Sequence, residues 1–285
     1  MNVLSIQSRV VYGRVGNSAA GFVLQCLGHE AWTLDTVTLS NHPGHPAWRG
    51  RSTPPDELRA LLAGLDGVGA LARCDVLLSG YLGQAATAEV VVEALAALRR
   101  HNPGVLYACD PVLGERTKGV YVREGVHAAM TEQLLPLADL VFPNSFELEL
   151  LTGGDASTAK GLLHAARDLR ARQERPGLIV VTGIERDDGP TGMIEVLALD
   201  GTGAWLAATQ RREVPAHGAG DTFAALFLGH YLRQRRAETA LTRALTAMDA
   251  IMRASVVSGA DELDLVAARG ALDPATPTIA PLRLD

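Results

Sequence analysis

The chain has 285 residues, 26 lysines and arginines against 32 aspartates and glutamates, and a net charge of −6. That balance excludes a protein whose main partner is nucleic acid or an anionic membrane, since both select basic surfaces. Cys26, Cys74 and Cys109 are odd in number and lack CxxC spacing, which excludes a disulfide framework or a cysteine zinc site and points to a cytoplasmic setting. Neither a secretion signal nor a run of about eighteen uncharged apolar residues is present, so a soluble protein with a small ligand is expected.

In chain order, residues 3–8 form a short apolar run that reads as a buried strand. Gly13 and Gly16 follow, and then a helix over 17–27 that stops at Gly28. A strand over 31–40, a Pro/Gly-rich loop over 41–55 and a helix over 56–65 continue the pattern. Next come a strand at 75–79, a helix at 85–101, a strand at 105–110, a loop through Val120, a helix at 124–135 and a strand at 140–143. A helix at 157–172 and a strand at 178–182 complete the alternation. Segments 193–199 and 204–210, joined by Asp200-Gly201-Thr202-Gly203, read as an antiparallel hairpin, and the C-terminal third reads as helical. Uninterrupted apolar strands alternating with helices predict an α/β fold, with a central, mostly parallel sheet flanked by helices on both faces. No repeat or low-complexity linker divides the chain, so a single domain over 1–285 is expected.

In open α/β sheets ligands sit beyond the carboxyl ends of the strands. The polar residues there are Ser8, His42 and Tyr81 after the first three strands, Asp110 after the fourth, and Asn144 with Glu147 after the fifth. Asn144 and Glu147, three apart at a strand-to-helix junction, suit a helix capping box. Together with Asp110 they also offer the hard oxygen ligands that Mg²⁺ takes. The stretch Pro215-Ala216-His217-Gly218-Ala219-Gly220-Asp221 opens an apolar helix. Unpaired N–H groups at a helix start attract an anion, and glycines let a phosphate approach the backbone. A carboxylate beside that site suits a base that takes a proton from a hydroxyl attacking phosphorus. Only Lys118 and Lys160 are lysines, and no GxxxxGK[ST] loop exists, so a nucleotide must be held without a Walker lysine.

Three motifs in this order, Asp110-Pro111-Val112, Asn144-x-x-Glu147 and Gly218-Ala219-Gly220-Asp221, resemble the ribokinase-like kinases. Ser5-Ile6-Gln7-Ser8, Val10-Val11-Tyr12-Gly13, Gly16-Asn17-Ser18-Ala19-Ala20, Ser40-Asn41-His42 and Ser79-Gly80-Tyr81 narrow the likeness to the pyridoxal kinases, particularly the bacterial PdxY type, over nearly the whole chain. The resemblance implies ATP-dependent phosphorylation of the pyridoxal 5′-hydroxyl. Asp221 would be the catalytic base, and Gly218, Ala219 and Gly220 the anion hole. Ser8, Val37, His42, Pro43, Gly44 and Tyr81, with Asp221, would contact the substrate. Asp110, Phe142, Glu147 and Thr182 would lie near the nucleotide, with Lys118 adding positive charge, and Asp110, Asn144 and Glu147 near the metal. Mg²⁺, ATP as co-substrate and a homodimer are also implied, and a monovalent-cation requirement is left open.

Arg9 stands where these kinases commonly have His, Pro43 where a Thr usually offers a hydroxyl, Glu115 where some have Asp, and His217 where an apolar residue is usual. His217 reads as a surface residue. The resemblance also marks the 31–39 strand as an edge that a second subunit would cover. Two rival functions are a hydroxymethylpyrimidine kinase, against which Ser8 and Tyr81 tilt, and a non-catalytic B6- or nucleotide-binding regulator, against which the intact Asp221 and anion hole argue.

Overall fold

Strand β1 (Asn2–Val10) is buried on both faces, which is why its apolar residues do not alternate with exposed ones. The computed structural model describes residues 1–175, 177–214 and 217–284. After β1 come α1 (Asn17–Cys26), β2 (Glu30–Leu39), β3 (Gly50–Ser52) and α2 (Pro55–Gly67). Then follow β4 (Val76–Ser79), α3 (Thr87–His101), β5 (Leu106–Cys109) and the short pair β6 (Gly114–Glu115) and β7 (Gly119–Val120). The middle of the chain holds α4 (Val126–Ala129), β8 (Leu140–Val141), α5 (Ser145–Thr152), α6 (Ala159–Ala171) and β9 (Leu178–Ile184). Hairpin β10 (Met193–Leu199) and β11 (Ala204–Gln210), helices α7 (Ala219–Gln234) and α8 (Ala237–Ser258), and β12 (Leu282–Leu284) complete it.

Ten of these strands form one sheet in the order β12-β11-β10-β9-β8-β5-β4-β1-β2-β3. From β9 to β2 every neighbouring pair is parallel, and the strands beyond β9 and β2 run antiparallel. The period-two geometry of the strands sorts side chains to two cores. Leu4, Ile6, Leu77, Ile179 and Val181 face the core shared with α2, α3, α5 and α6. Val3, Val76, Leu78, Leu178 and Val180 face the core shared with α1, α7 and α8. Helix α7 is buried at every position from Thr222 to His230, as expected of a helix that is apolar nearly all round.

The expected hairpin over 193–199 and 204–210 is present with those bounds. The other expected strands and helices are present with shifted ends, and four features differ. The 41–55 loop contains β3, which pairs with Val37–Leu39 of β2, so only the N-terminal part of β2 keeps the open edge that the sequence suggests for the whole strand. The loop through Val120 contains the β6–β7 pair. The helix expected over 124–135 is α-helical only over Val126–Ala129, widening to a π turn at Met130–Leu134 and tightening to a 3₁₀ turn at Leu135–Leu137. Pro136, which lacks an N–H, stands where a regular last turn would need one. After α8 the chain is mostly irregular and ends on β12, which closes the sheet beside β11.

Candidate active site

The start of α7 is pinned to the first β–α loop. Gly218, its N-cap, has φ 78°, and a Cβ there would lie 1.7 Å from the Arg14 carbonyl oxygen, so only glycine fits. A Cβ at Gly220 would meet nothing within 4 Å, and Gly220 is exposed, so the first turn is open on that side. An incoming group can therefore reach the N–H groups that the helix leaves unpaired there. Pro215 and Ala216 of the quoted stretch lie outside the described residues.

Asp221, in that first turn, is half-buried. Burial raises its pKa, against the lowering effect of backbone hydrogen bonds from Gly16 and from its own amide. Asp110 leaves β5 with its amide donating to the Ser79 carbonyl at 2.8 Å, and it is 7% exposed. Burial, then the charges of Asp221 and Glu147, push its pKa well above the ordinary aspartate value. Glu147, 3% exposed, is pushed up to about 7 by burial, with Asp221 adding to it. Three carboxylates thus share one low-dielectric region, and none of them makes an ion pair with Lys or Arg among the described residues. Such a cluster attracts a cation and a proton equally.

Glu147 and Asn144 do form the capping box that their spacing suggests. The Asn144 side chain accepts from the Glu147 amide at 2.8 Å, and Glu147 Oε2 accepts from the Asn144 amide at 2.9 Å. The other Glu147 oxygen accepts from the amides of Leu113 at 2.8 Å and Gly114 at 3.3 Å. Asn144 Nδ2 donates to the Gly114 carbonyl at 2.8 Å. Asn144 is therefore taken up by the backbone, and the pair ties the root of the β6–β7 hairpin to α5. Thr182 sits beside it, bridged to Asn144 and with its amide on the Pro143 carbonyl. Phe142 is 3% exposed with its ring edge-on to Phe227 at 5.7 Å, so its side chain belongs to the core.

Tyr121, which sequence reading passed over, follows the hairpin with its amide on the Leu113 carbonyl at 3.1 Å. Tyr121 is 46% exposed as a residue, yet the surroundings of its hydroxyl raise its pKa, through desolvation first and then the charges of Glu147, Asp110, Asp221 and Glu115. No local pattern singles it out; the β6–β7 pairing brings it back over the cluster.

On the other side of α7, Ser8 is 7% exposed at an irregularity between Gln7 and Arg9 of β1. A Cβ at Gly16 would lie 2.1 Å from the Ser8 carbonyl oxygen and 2.5 Å from its Oγ. Below it, Ser5, Gln7, Asn17 and Asp35 satisfy one another in a buried network. Val37, 4% exposed, lies under Gly83. The Thr36 hydroxyl donates to the Tyr81 carbonyl at 2.6 Å, which sets the half-buried Tyr81. Pro43 and Gly44 are exposed and His42 is half-buried. Lys118, exposed on the β6–β7 turn, pairs with Glu115 at 2.8 Å, and its charge lowers the pKa of both His42 and His217. His217 is no isolated surface residue: its ring stacks on His42 at 3.9 Å between centroids with an interplanar angle of 27°.

A family model described as phosphomethylpyrimidine kinase matches residues 52–264. A pyridoxal kinase PdxY from Deinococcus radiodurans is 44% identical over 273 residues, 94% of this chain and 92% of that protein. A PdxY from Leifsonia xyli is 42% identical, covering 93% of each. Among solved structures, a pyridoxal kinase from Leishmania donovani in complex with ADP and pyridoxine superposes with a TM-score of 0.90 at 26% identity, covering 100% of this chain and 99% of that one.

Proposed function

The chain belongs to the PdxY-type pyridoxal kinases, and from that membership and the geometry of its site we infer that it phosphorylates the 5′-hydroxyl of pyridoxal with ATP. The observation that carries the reading is Asp221: a carboxylate made more basic by burial, in the first turn of a helix whose start is open at Gly220. Asp221 accepts the hydroxyl proton as the oxygen attacks the γ-phosphorus. The N–H groups of Gly218, Ala219 and Gly220 stabilise the charge on the phosphoryl group in transfer. ADP leaves, and pyridoxal 5′-phosphate is the product. Ser8, the 42–44 segment and Tyr81 orient the ring, while Thr182, Lys118 and the backbone near Phe142 serve the nucleotide side.

Among the described residues no group of three or more His, Cys, Asp or Glu is placed to hold a metal directly, which suits a Mg²⁺ held by one or two carboxylates through water together with phosphate oxygens. Asp110 and Glu147 would hold it, with Asn144 orienting Glu147. When bound it offsets charge on the ATP phosphates. The reading includes a homodimer, with the N-terminal half of β2, beyond the reach of β3, as part of its interface. It also includes a cytoplasmic location; among the described residues no helix is long and apolar enough to cross a membrane.

A panel of pyridoxal, pyridoxine, pyridoxamine and hydroxymethylpyrimidine with Mg-ATP tests the reading, with ADP release and product mass as readouts. ADP release with pyridoxal and a product heavier by one phosphoryl group are expected. Turnover of hydroxymethylpyrimidine alone, or of none, overturns the reading.

A further inference from the structure

We propose that His217 is a positioning residue that clasps the ring-side loop, residues 41–45, onto the start of α7. The claim rests on the reading that this loop lines the pyridoxal site.

Residues 41–45 are tied up mainly among themselves. The Gly44 amide donates to His42 Nδ1 at 3.0 Å, and the His45 amide donates to the His42 carbonyl at 3.1 Å. Besides ring contacts of His45 with Tyr12 and with His217, each at 6.1 Å between centroids, the loop's side chains meet the body of the protein at two closer places. One is the contact of His45 Nε2 with Glu262 Oε1 at 2.8 Å; Glu262 in turn accepts from the Arg14 amide at 3.3 Å. The other is the His42–His217 stack. The imidazole of His217 also lies against the Gly44 backbone, where a Cβ would be 2.6 Å from Cε1 and Nε2. Gly44 is therefore a close-approach glycine, made necessary by the ring above it.

His217 is bonded directly to Gly218, the N-cap of α7. The stack thus joins the segment that meets the acceptor ring to the turn that meets the phosphate, and sets the distance between them. A near-attack geometry is sensitive to shifts on the scale of an ångström. An apolar aliphatic residue at 217 would leave the face of His42 without an aromatic partner. Pro43, which has no hydroxyl to offer the ring, places more of the positioning on the loop backbone and hence on its anchor.

Both rings are uncharged at neutral pH. His42 is pushed down to about 4 by burial and by His217, Lys118 and His45, with only Glu115 opposing. His217 is lowered by burial, Lys118 and His45, with Glu262 and Glu115 opposing. The hydrogen bond from Gly44 requires His42 Nδ1 as an acceptor, in agreement with a neutral ring.

The test compares wild type, His217→Val and His217→Phe. Hydrogen–deuterium exchange reads the 41–45 amides, and steady-state kinetics read KM for pyridoxal, KM for ATP and kcat. His217→Val should speed exchange in the loop and raise KM for pyridoxal about three- to tenfold, the range of one aromatic pair, while KM for ATP holds. His217→Phe, which stacks without titrating, should restore both. Gly44→Ala, by displacing the ring, should reproduce the Val defect. An unchanged pyridoxal KM in His217→Val, or a Phe variant as impaired as Val, overturns the proposal. If wild type fails to turn over pyridoxal, the acceptor reading falls instead, and exchange alone decides whether the clasp exists.

Discussion

Asp221 is subject to opposing electrostatic influences. The α7 N-terminus and the Gly16 amide favour its charged form, while burial opposes it and prevails. A base in this position is stronger than an exposed aspartate. Asp221→Asn keeps the packing and removes the proton acceptor, so turnover should fall by roughly 10²- to 10⁴-fold while both substrates still bind. Single-turnover phosphoryl transfer on folded protein is the measurement; a rate within a few-fold of wild type would leave Asp221 only a helix-start role worth about 1 kcal/mol or less. His217 shows how far local sequence can mislead at this scale. Its neighbours in the chain give no sign of a partner, because His42 comes from a loop 175 positions earlier, across most of the sheet.

At the scale of elements, the α5 cap and the β6–β7 hairpin are one assembly, since Glu147 accepts from the amides of Leu113 and Gly114 as well as from Asn144. Glu147→Gln replaces one acceptor oxygen with an NH₂ that faces backbone N–H groups, which costs about 1–3 kcal/mol for the group left unpaired. It should lower the melting temperature and raise the Mg²⁺ needed for half-maximal rate, with pyridoxal affinity nearly intact. A lower melting temperature with unchanged Mg²⁺ dependence would reduce the pair to a cap. Elements with strong local signals were legible in sequence. The β10–β11 hairpin has a polar Gly-containing turn between apolar strands, and α7 has a Gly-rich start and a long apolar run. The short strands β3, β6 and β7 carry no such signal, because two or three residues show no periodicity and their pairing is decided by what already lies beside them. The motif residues could be singled out because ligands in α/β sheets sit at strand ends, and the structure brings Asp110, Glu147 and Asp221 within electrostatic reach of one another. The Glu147 bonds to Leu113 and Gly114, and the place of Tyr121, depend on tertiary contacts.

For the whole molecule, the carboxylate cluster links folding to pH. Glu147 has its folded pKa at about 7 against an ordinary 4.5, and Asp110 and Asp221 are raised as well. The folded protein therefore binds more protons than the unfolded chain between these values, so stability falls as pH rises through the window. Without ligands, the melting temperature should drop by a few degrees from pH 5 to pH 8 from this source, and Mg²⁺ with ADP should flatten the slope by offsetting the ionised cluster. The variant Asp110→Asn with Glu147→Gln should keep only the part of the slope that Asp221 contributes. A wild-type slope that matches the variant's would show that the cluster does not set it. Assembly is tested at the same scale: sedimentation should give a dimer at micromolar concentration, and a monomer there would reject the homodimer.

The burial of α7 on all sides has a consequence for how acceptor choice can change. Helix α7, which we propose carries the base and the phosphate turn, is held in the core from Thr222 to His230, so reshaping it disturbs close-packed neighbours. The ring-side loop, by contrast, lies at the margin of the sheet, beyond β2, with exposed residues at Pro43, Gly44 and Pro46. The two parts are thus unequally free to change, and they meet at the His42–His217 stack. A loop of different shape over 45–49 that keeps His42 and Gly44, and with them the contact to His217, should change which hydroxymethyl rings are phosphorylated in a substrate panel while α7 stays in place.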